Sequence, residues 1–225
     1  FIFLKYRSDD SSPMTSIGDG GRNSLRRLLS EFASRYPSAR KEPLAGHDVA
    51  SLMRKDVASA LEATGVFEKG VYKISGSVGK GGWAEIPWVA VYDLSETDTL
   101  HHGFFVAYVF SADMSSLFLT LDQGSVTYYD THTRAETDIH IRGVADAVLR
   151  SMDGRGTDVG RIDLGATSSV GRFLENGCMF SVRYMLDDLP DDSKLVEDLR
   201  LFKLLYKEAL DMKRSRRLRI GSFPM

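Results

Sequence analysis

The chain has 225 residues, 43% of them hydrophobic, and a formal net charge of −2. That length and composition suit one large domain with a sizeable core; they exclude a globally basic nucleic-acid coat, although a near-neutral total still permits a basic face. The single cysteine, Cys178, rules out an internal disulfide, no apolar run nears the roughly 20 residues needed to cross a bilayer, and a cytoplasmic location is expected.

Residues 1–23 begin apolar, are cut short by Lys5 and Arg7, and turn rich in Ser, Asp and Gly, so they read as a flexible lead-in or an upstream extension. Ser24 then stands as N-cap before a helix whose stripe is Leu25, Leu28, Leu29, Phe32 and Tyr36, with Pro37 as its stop. "HDVASLMRKDVASALEATG" predicts a second amphipathic helix, carried by Val49, Leu52, Met53, Val57, Ala60 and Leu61 and ended by Gly65. "VYKISG", "WVAVYD", "GFFVAYVF" and "LFLTLDQG" are short, β-branched and aromatic, and their connections are too brief for helical crossovers; four strands, mostly antiparallel, are expected. "RGVADAVLRSM" reads as a helix, "VGRIDLG" as a strand, "SSVGRFLENG" as a short helix capped by Ser168, and "CMFSVRYM" as a further strand. A leucine-rich helix over about 191–213 closes the domain, and a basic tail follows over 213–225. The expected fold is α+β: a mixed, largely antiparallel central sheet flanked by N-terminal and C-terminal helices, with the domain proper over 24–212.

The stretch "GSVGKGGWAEIPW" (76–88) carries the chemistry most open to interpretation. A phosphate-binding P-loop needs its second glycine five positions after the first, a Ser or Thr after the lysine, and a following helix. Here Gly76 precedes Gly79 by only three, Gly81 follows Lys80, and Pro87 leads into a β-rich run. A dinucleotide fingerprint fails on the same grounds. What remains is either a turn whose glycines supply positive φ, or a lysine-tipped finger that enters a nucleic-acid groove, with Trp83 and Trp88 as flat faces for a base.

In order along the chain, "EPLAGH" (42–47), "GSVGKGGWAEIPWVAVYD" (76–93), "GFFVAYVFSAD" (103–113), "LFLTLDQG" (117–124), "IDLGATSS" (162–169) and "ENGCMFSVRY" (175–184) resemble the McrB-N-like family, the N-terminal DNA-binding domains of modification-dependent restriction systems. The resemblance covers roughly 24–210. It implies a module that binds duplex DNA containing a modified cytosine (5-methyl-, 5-hydroxymethyl- or N4-methylcytosine), flips that base into a pocket, and targets a nuclease or GTPase motor carried elsewhere. It also implies residue roles. Trp88 matches the pocket tryptophan that stacks on the base, and Val109 matches an aliphatic wall. Lys80 stands at the loop tip, where the family has a tyrosine wedge, so either Lys80 contacts phosphate or Trp83 takes the wedge role. Asn176 falls where a third, aromatic wall belongs, with Tyr184 or Phe180 as substitutes. Ser77, Gly81, Gly82, Lys73 and Arg183 complete the expected DNA-binding set, and Arg172 is a further phosphate candidate.

No catalytic residue, metal or cofactor is expected. Cys178 has no Cys/His partner nearby in sequence, His101–His102 lacks ligand spacing, His132 and His140 read as surface residues, and "DSK" (192–194) falls at a helix start rather than in a nuclease strand pair. Two alternatives stand beside the DNA-binding reading: a nuclease with an unrecognised active site, and a protein-interaction module that has lost DNA binding.

Overall fold

The computed structural model describes Gly21 and residues 24–215. The expected lead-in, apart from Gly21, and the basic tail from residue 216 onward lie outside the described residues. Helix α1 (Leu25–Ala39) starts as its sequence predicts, with the Ser24 hydroxyl accepting from Arg27 N at 3.3 Å. Pro37 does not stop it. A proline in the last turn removes one intrahelical donor, and Arg40 N still reaches the Tyr36 carbonyl at 3.0 Å, closing the helix past it.

The second predicted helix is real but interrupted: α2 (Asp48–Ser51) runs into a π-helical turn, Leu52–Val57, and on into α3 (Ala58–Ala63). The π turn lies against β1 (Tyr72–Ser77), where a Cβ on Gly76 would stand 2.5 Å from the Met53 carbonyl oxygen. Glycine therefore lets the strand backbone approach the helix backbone.

The remaining strands are β2 (Trp88–Asp93), β3 (Phe104–Phe110), β4 (Ser116–Gln123), β5 (Asp158–Val159) and β6 (Phe180–Met185). They form one antiparallel sheet in the order β1-β2-β3-β4-β6-β5, so the α+β expectation holds. β3 and β4 are buried along their whole length, because both sheet faces are covered. One face packs Val89, Val91, Val106, Tyr108, Leu119 and Leu121 against α1, the π turn and the long helix α7 (Asp192–Arg214). The other packs Ala90, Tyr92, Phe105, Ala107, Val109 and Phe118 against Leu164, Ala166 and Leu174.

Helix α5 (Arg134–Leu149) begins eight residues before the expected "RGVADAVLRSM" and is opened by a capping box between Thr133 and Glu136, after the short α4 (Val126–Tyr129). α6 (Ser169–Gly177) has its expected cap, Ser168, which accepts from Gly171 N at 3.2 Å. The strand expected over "VGRIDLG" shrinks to β5. Beyond it the backbone donors turn away from the sheet to Glu175: its carboxylate accepts from Leu164 N at 2.9 Å and Ala166 N at 3.0 Å, and its carbonyl accepts from Ile162 N. With those N–H groups taken by α6, they cannot donate to a sheet ladder, and the Leu164 carbonyl accepts from Ala112 N at 2.8 Å instead. Among the described residues no helix is long and apolar enough to cross a membrane.

Candidate nucleic-acid interface

The glycine loop joins the end of β1 to the start of β2, and its two ends, Ser77 and Trp88, are direct register partners. It is therefore a hairpin connection, tightly braced below a bare tip. At its base Ala84 N donates to the Val78 carbonyl at 2.7 Å, Val78 is buried, and Gly79 N donates to the Ser77 hydroxyl at 3.2 Å. Gly79 has φ +109°; a Cβ there would collide with the Gly82 carbonyl and lie 2.7 Å from Ala84 N, so the loop folds back on itself only with glycine.

Three further ties fix the loop to its surroundings. From the π turn, Arg54 donates to the Gly79 carbonyl at 2.8 Å. From α1, the Tyr36 hydroxyl donates to the Ala84 carbonyl at 2.7 Å, and burial pushes that phenol up to about 12. On the far side the Glu85 carboxylate accepts from Thr167 N (2.8 Å), the Thr167 hydroxyl (2.6 Å) and Ser168 N (2.8 Å). Burial would raise this carboxyl, but those hydrogen bonds outweigh it and hold it at about 2. Lys80, Gly81 and Gly82 are exposed, and nothing lies within 4 Å of where a Cβ on either glycine would stand.

Trp83 belongs to the brace and not to the tip. Its indole N–H donates to the Glu42 carbonyl at 2.7 Å, and its ring meets Tyr36 and His47 edge-on at 5.5 and 5.1 Å.

Across the sheet, Ser77, Trp88, Val109, Phe118 and Arg183 form one cross-strand row from β1 to β6. Partners directly opposite share a face, so four of the expected site residues come into line. Val109 is fully buried and Trp88 is partly exposed, packed on the same apolar cluster. Arg183, exposed, lies over Phe118 at 5.6 Å and donates to the Ser116 hydroxyl at 3.0 and 2.8 Å. It also lines a hollow of about 240 Å³ shared with Asp113 and Asp163. Hydrogen bonds, led by that from the Ser111 hydroxyl, hold the Asp113 carboxyl at about 2, so this end of the row carries negative charge beside the guanidinium. Lys73 lies on the row's face of β1, but its ammonium is bonded to the Asp98 carbonyl at 2.9 Å and ion-paired to the Asp98 carboxylate.

The three residues expected as a further wall stand elsewhere. Tyr184 neighbours Arg183 along β6, so strand alternation sends it to the opposite face, where it is buried and its hydroxyl donates to Asp198 at 2.8 Å. Phe180 is buried on that same opposite face. Asn176 is buried between α6 and α5: its amide donates to the Asp138 carboxylate at 3.1 Å and its carbonyl accepts from Arg142 at 3.0 Å. None of the three is brought to Trp88. Conversely, the π turn presents two exposed cations, Arg54 and Lys55, beside the glycine loop. Only the adjacent letters "RK" signal them in sequence. Cys178 is fully buried, and burial pushes its thiol well up.

Comparison with curated proteins finds none that matches this chain. A family match does exist, described as MrcB-like, N-terminal domain, and it spans residues 31–211. That interval runs from α1 through the glycine loop and the cross-strand row into α7, and the chain belongs to the family of MrcB-like N-terminal domains.

Proposed function

We propose that this domain is the DNA-binding specificity module of a restriction system, and that it recognises a modified cytosine in duplex DNA by drawing the base out of the helix. Family membership supports the DNA-binding, restriction-system part of this reading. The observation that carries the finer part is the pairing of a braced loop with a bare tip and a partly exposed indole at the loop's own foot, Trp88. Extrusion costs a few kcal/mol of unstacking, and a base stacked on an aromatic face returns about 1–3 kcal/mol. Lys80 at the tip reaches toward the phosphate backbone as a point charge. The preformed brace limits the ordering cost of insertion. A methyl substituent on the base adds apolar area worth about 0.8 kcal/mol where it is kept dry. The partner that cuts, a nuclease or a motor with its nuclease, lies in another domain or subunit.

The test is a gel-shift panel of duplexes, each with one modification, run with the parent chain and Trp88→Ala. The substitution is expected to cost modified duplex about tenfold or more in affinity, a loss of about 1.4 kcal/mol, and to cost unmodified duplex far less. Equal losses on both would remove Trp88 from the base pocket.

A further inference from the structure

The glycine loop stands between two unlike neighbours. On one side are the π turn, bonded to it through Arg54, and the turn after α1, bonded to it through the Glu42 carbonyl; on the other is the segment before α6, tied to it through Glu85. On the first side Arg40, Lys41, Arg54 and Lys55 are exposed, as is Lys80 at the tip, and none of the five has an ion-pair partner among the described residues. The acids of that side are engaged with other groups: Asp48 pairs with Arg35, Glu42 meets His47 at 3.3 Å, and Asp56 lines a hollow with Arg27 and Glu31. On the second side the carboxylates of Glu85, Asp113 and Asp163 mix with Arg172 and Arg183. A duplex carries one negative charge per about 1.7 Å of its axis, so the first side accommodates its backbone better than the second.

Arg54 is the cation of this group that is held in place. One terminal nitrogen donates to the Gly79 carbonyl at 2.8 Å. A guanidinium has five N–H donors; this one is exposed, and no other described residue accepts from it. Its backbone is equally fixed, because Met53 beside it is fully buried and the Met53 carbonyl lies against Gly76 of β1. The residue after Gly79 is Lys80, so a guanidinium and an ammonium flank one peptide unit and neither is paired with a carboxylate. Like charges held together repel, and an anion between them relieves that repulsion. A planar fork of donors with a point charge beside it suits a phosphate group.

We propose that Arg54 couples the loop to DNA: it keeps the Gly79 carbonyl with one nitrogen, and its free donors, together with the Lys80 ammonium, take a backbone phosphate of the duplex on the π-turn side of the loop. The phosphate contact thereby sets where the bare tip meets the helix, which makes Arg54 a positioning residue for the tip. This inference rests on the DNA-binding reading above, and it is independent of which base is recognised and of the role of Trp88.

The test is duplex binding by fluorescence anisotropy over a series of salt concentrations, with modified and unmodified duplex, each protein measured below its own thermal midpoint. Arg54→Gln keeps an amide donor for the Gly79 carbonyl and removes the charge; Arg54→Lys keeps the charge; Arg200→Gln removes the same charge from an exposed position on α7. Arg54→Gln is expected to weaken both duplexes alike, about tenfold at low salt, and to reduce the slope of log affinity against log salt by about one. Arg54→Lys and Arg200→Gln are expected to keep the parent slope. An unchanged slope in Arg54→Gln, or an equal reduction in Arg54→Lys or in Arg200→Gln, overturns the proposal, as does a loss confined to modified duplex. A parent chain that binds no duplex at low salt overturns the DNA-binding reading along with it, whereas a parent that binds beside an Arg54→Gln variant of equal affinity and slope overturns this inference alone.

Discussion

Trp88 and Val109 stand directly opposite each other on β2 and β3, and Phe118 continues their line on β4. Val109 is fully buried beneath this line while the indole beside it remains partly exposed. The two side chains share one face of the sheet and one apolar cluster. Val109→Ala is expected to cost about 1–3 kcal/mol of stability through the cavity it leaves. In DNA-binding assays it is expected to lower affinity for modified duplex more than for unmodified duplex. Equal thermal midpoints for parent and variant would show that the indole is held by other contacts.

The glycines of the loop separate into two kinds, and the separation is measurable. Gly79 combines φ +109° with a backbone collision for any added Cβ, whereas Gly82 has open space around it. Gly79→Ala is expected to lose about 2 kcal/mol or more, since both the backbone conformation and the fold-back onto Ala84 are lost. Gly82→Ala is expected to stay within about 0.5 kcal/mol. Denaturant melts of the two variants side by side check this, and similar losses in both would mean that the loop base is softer than its hydrogen bonds imply.

Glu85 gives the loop an acid-sensitive anchor. Its carboxyl titrates at about 2 in the folded protein against an ordinary 4.5. A group with a depressed folded pKa stabilises fully above its unfolded value, and that stabilisation is lost as pH falls through the interval toward the folded value. The parent protein is therefore expected to lose stability between pH 4.5 and about 2, in part through Glu85. Glu85→Gln starts less stable at neutral pH and loses less over that interval. Asp113, also held at about 2, contributes equally to both proteins. Parallel acid limbs in parent and variant would count against the anchor.

Much of the fold is legible in the sequence because local signals agree with the packing. The Ser24 cap, the Leu25-to-Tyr36 stripe, four strands with short connections and the Ser168 cap all follow from spacing and turn chemistry. The same holds for part of the site: Ser77, Trp88, Val109 and Arg183 fall into one row once the register is known. What the sequence hides has definite causes. In β3 and β4 both faces are buried, so no apolar-polar alternation marks which residues point which way. Tyr184 and Arg183 are adjacent letters that end on opposite faces. Asn176 acquires its partners only when α6 meets α5, 38 residues away in sequence. The π turn leaves the amphipathic stripe intact, so "LMRKDV" reads as ordinary helix. The capping box of Thr133 and Glu136, by contrast, was present as a T-x-x-E spacing and marks the true start of α5.

Asp122 provides a last test, of the buried layer between β4 and α5. It is fully buried; its Oδ1 accepts from Gln123 N at 2.7 Å, while its Oδ2 and the Arg142 terminal nitrogen NH2 have no partners among the described residues. Burial pushes this carboxyl well above the usual carboxylate range, against the Gln123 N–H and the charge of Arg142, which pull it down. A raised folded pKa means stability that is present below the ordinary value of 3.8 and lost as pH rises toward the folded one. At neutral pH the native state therefore bears the cost of burying either a charge or an added proton. Asp122→Asn keeps the acceptor for Gln123 N and removes that cost. The variant is expected to be more stable than the parent at neutral pH, by about 1–2 kcal/mol, with the advantage shrinking as pH falls toward the ordinary carboxylate range. Thermal melts across that span decide the matter: a variant less stable than the parent at neutral pH would mean that attraction to Arg142 outweighs burial, and that Asp122 is held as an anion.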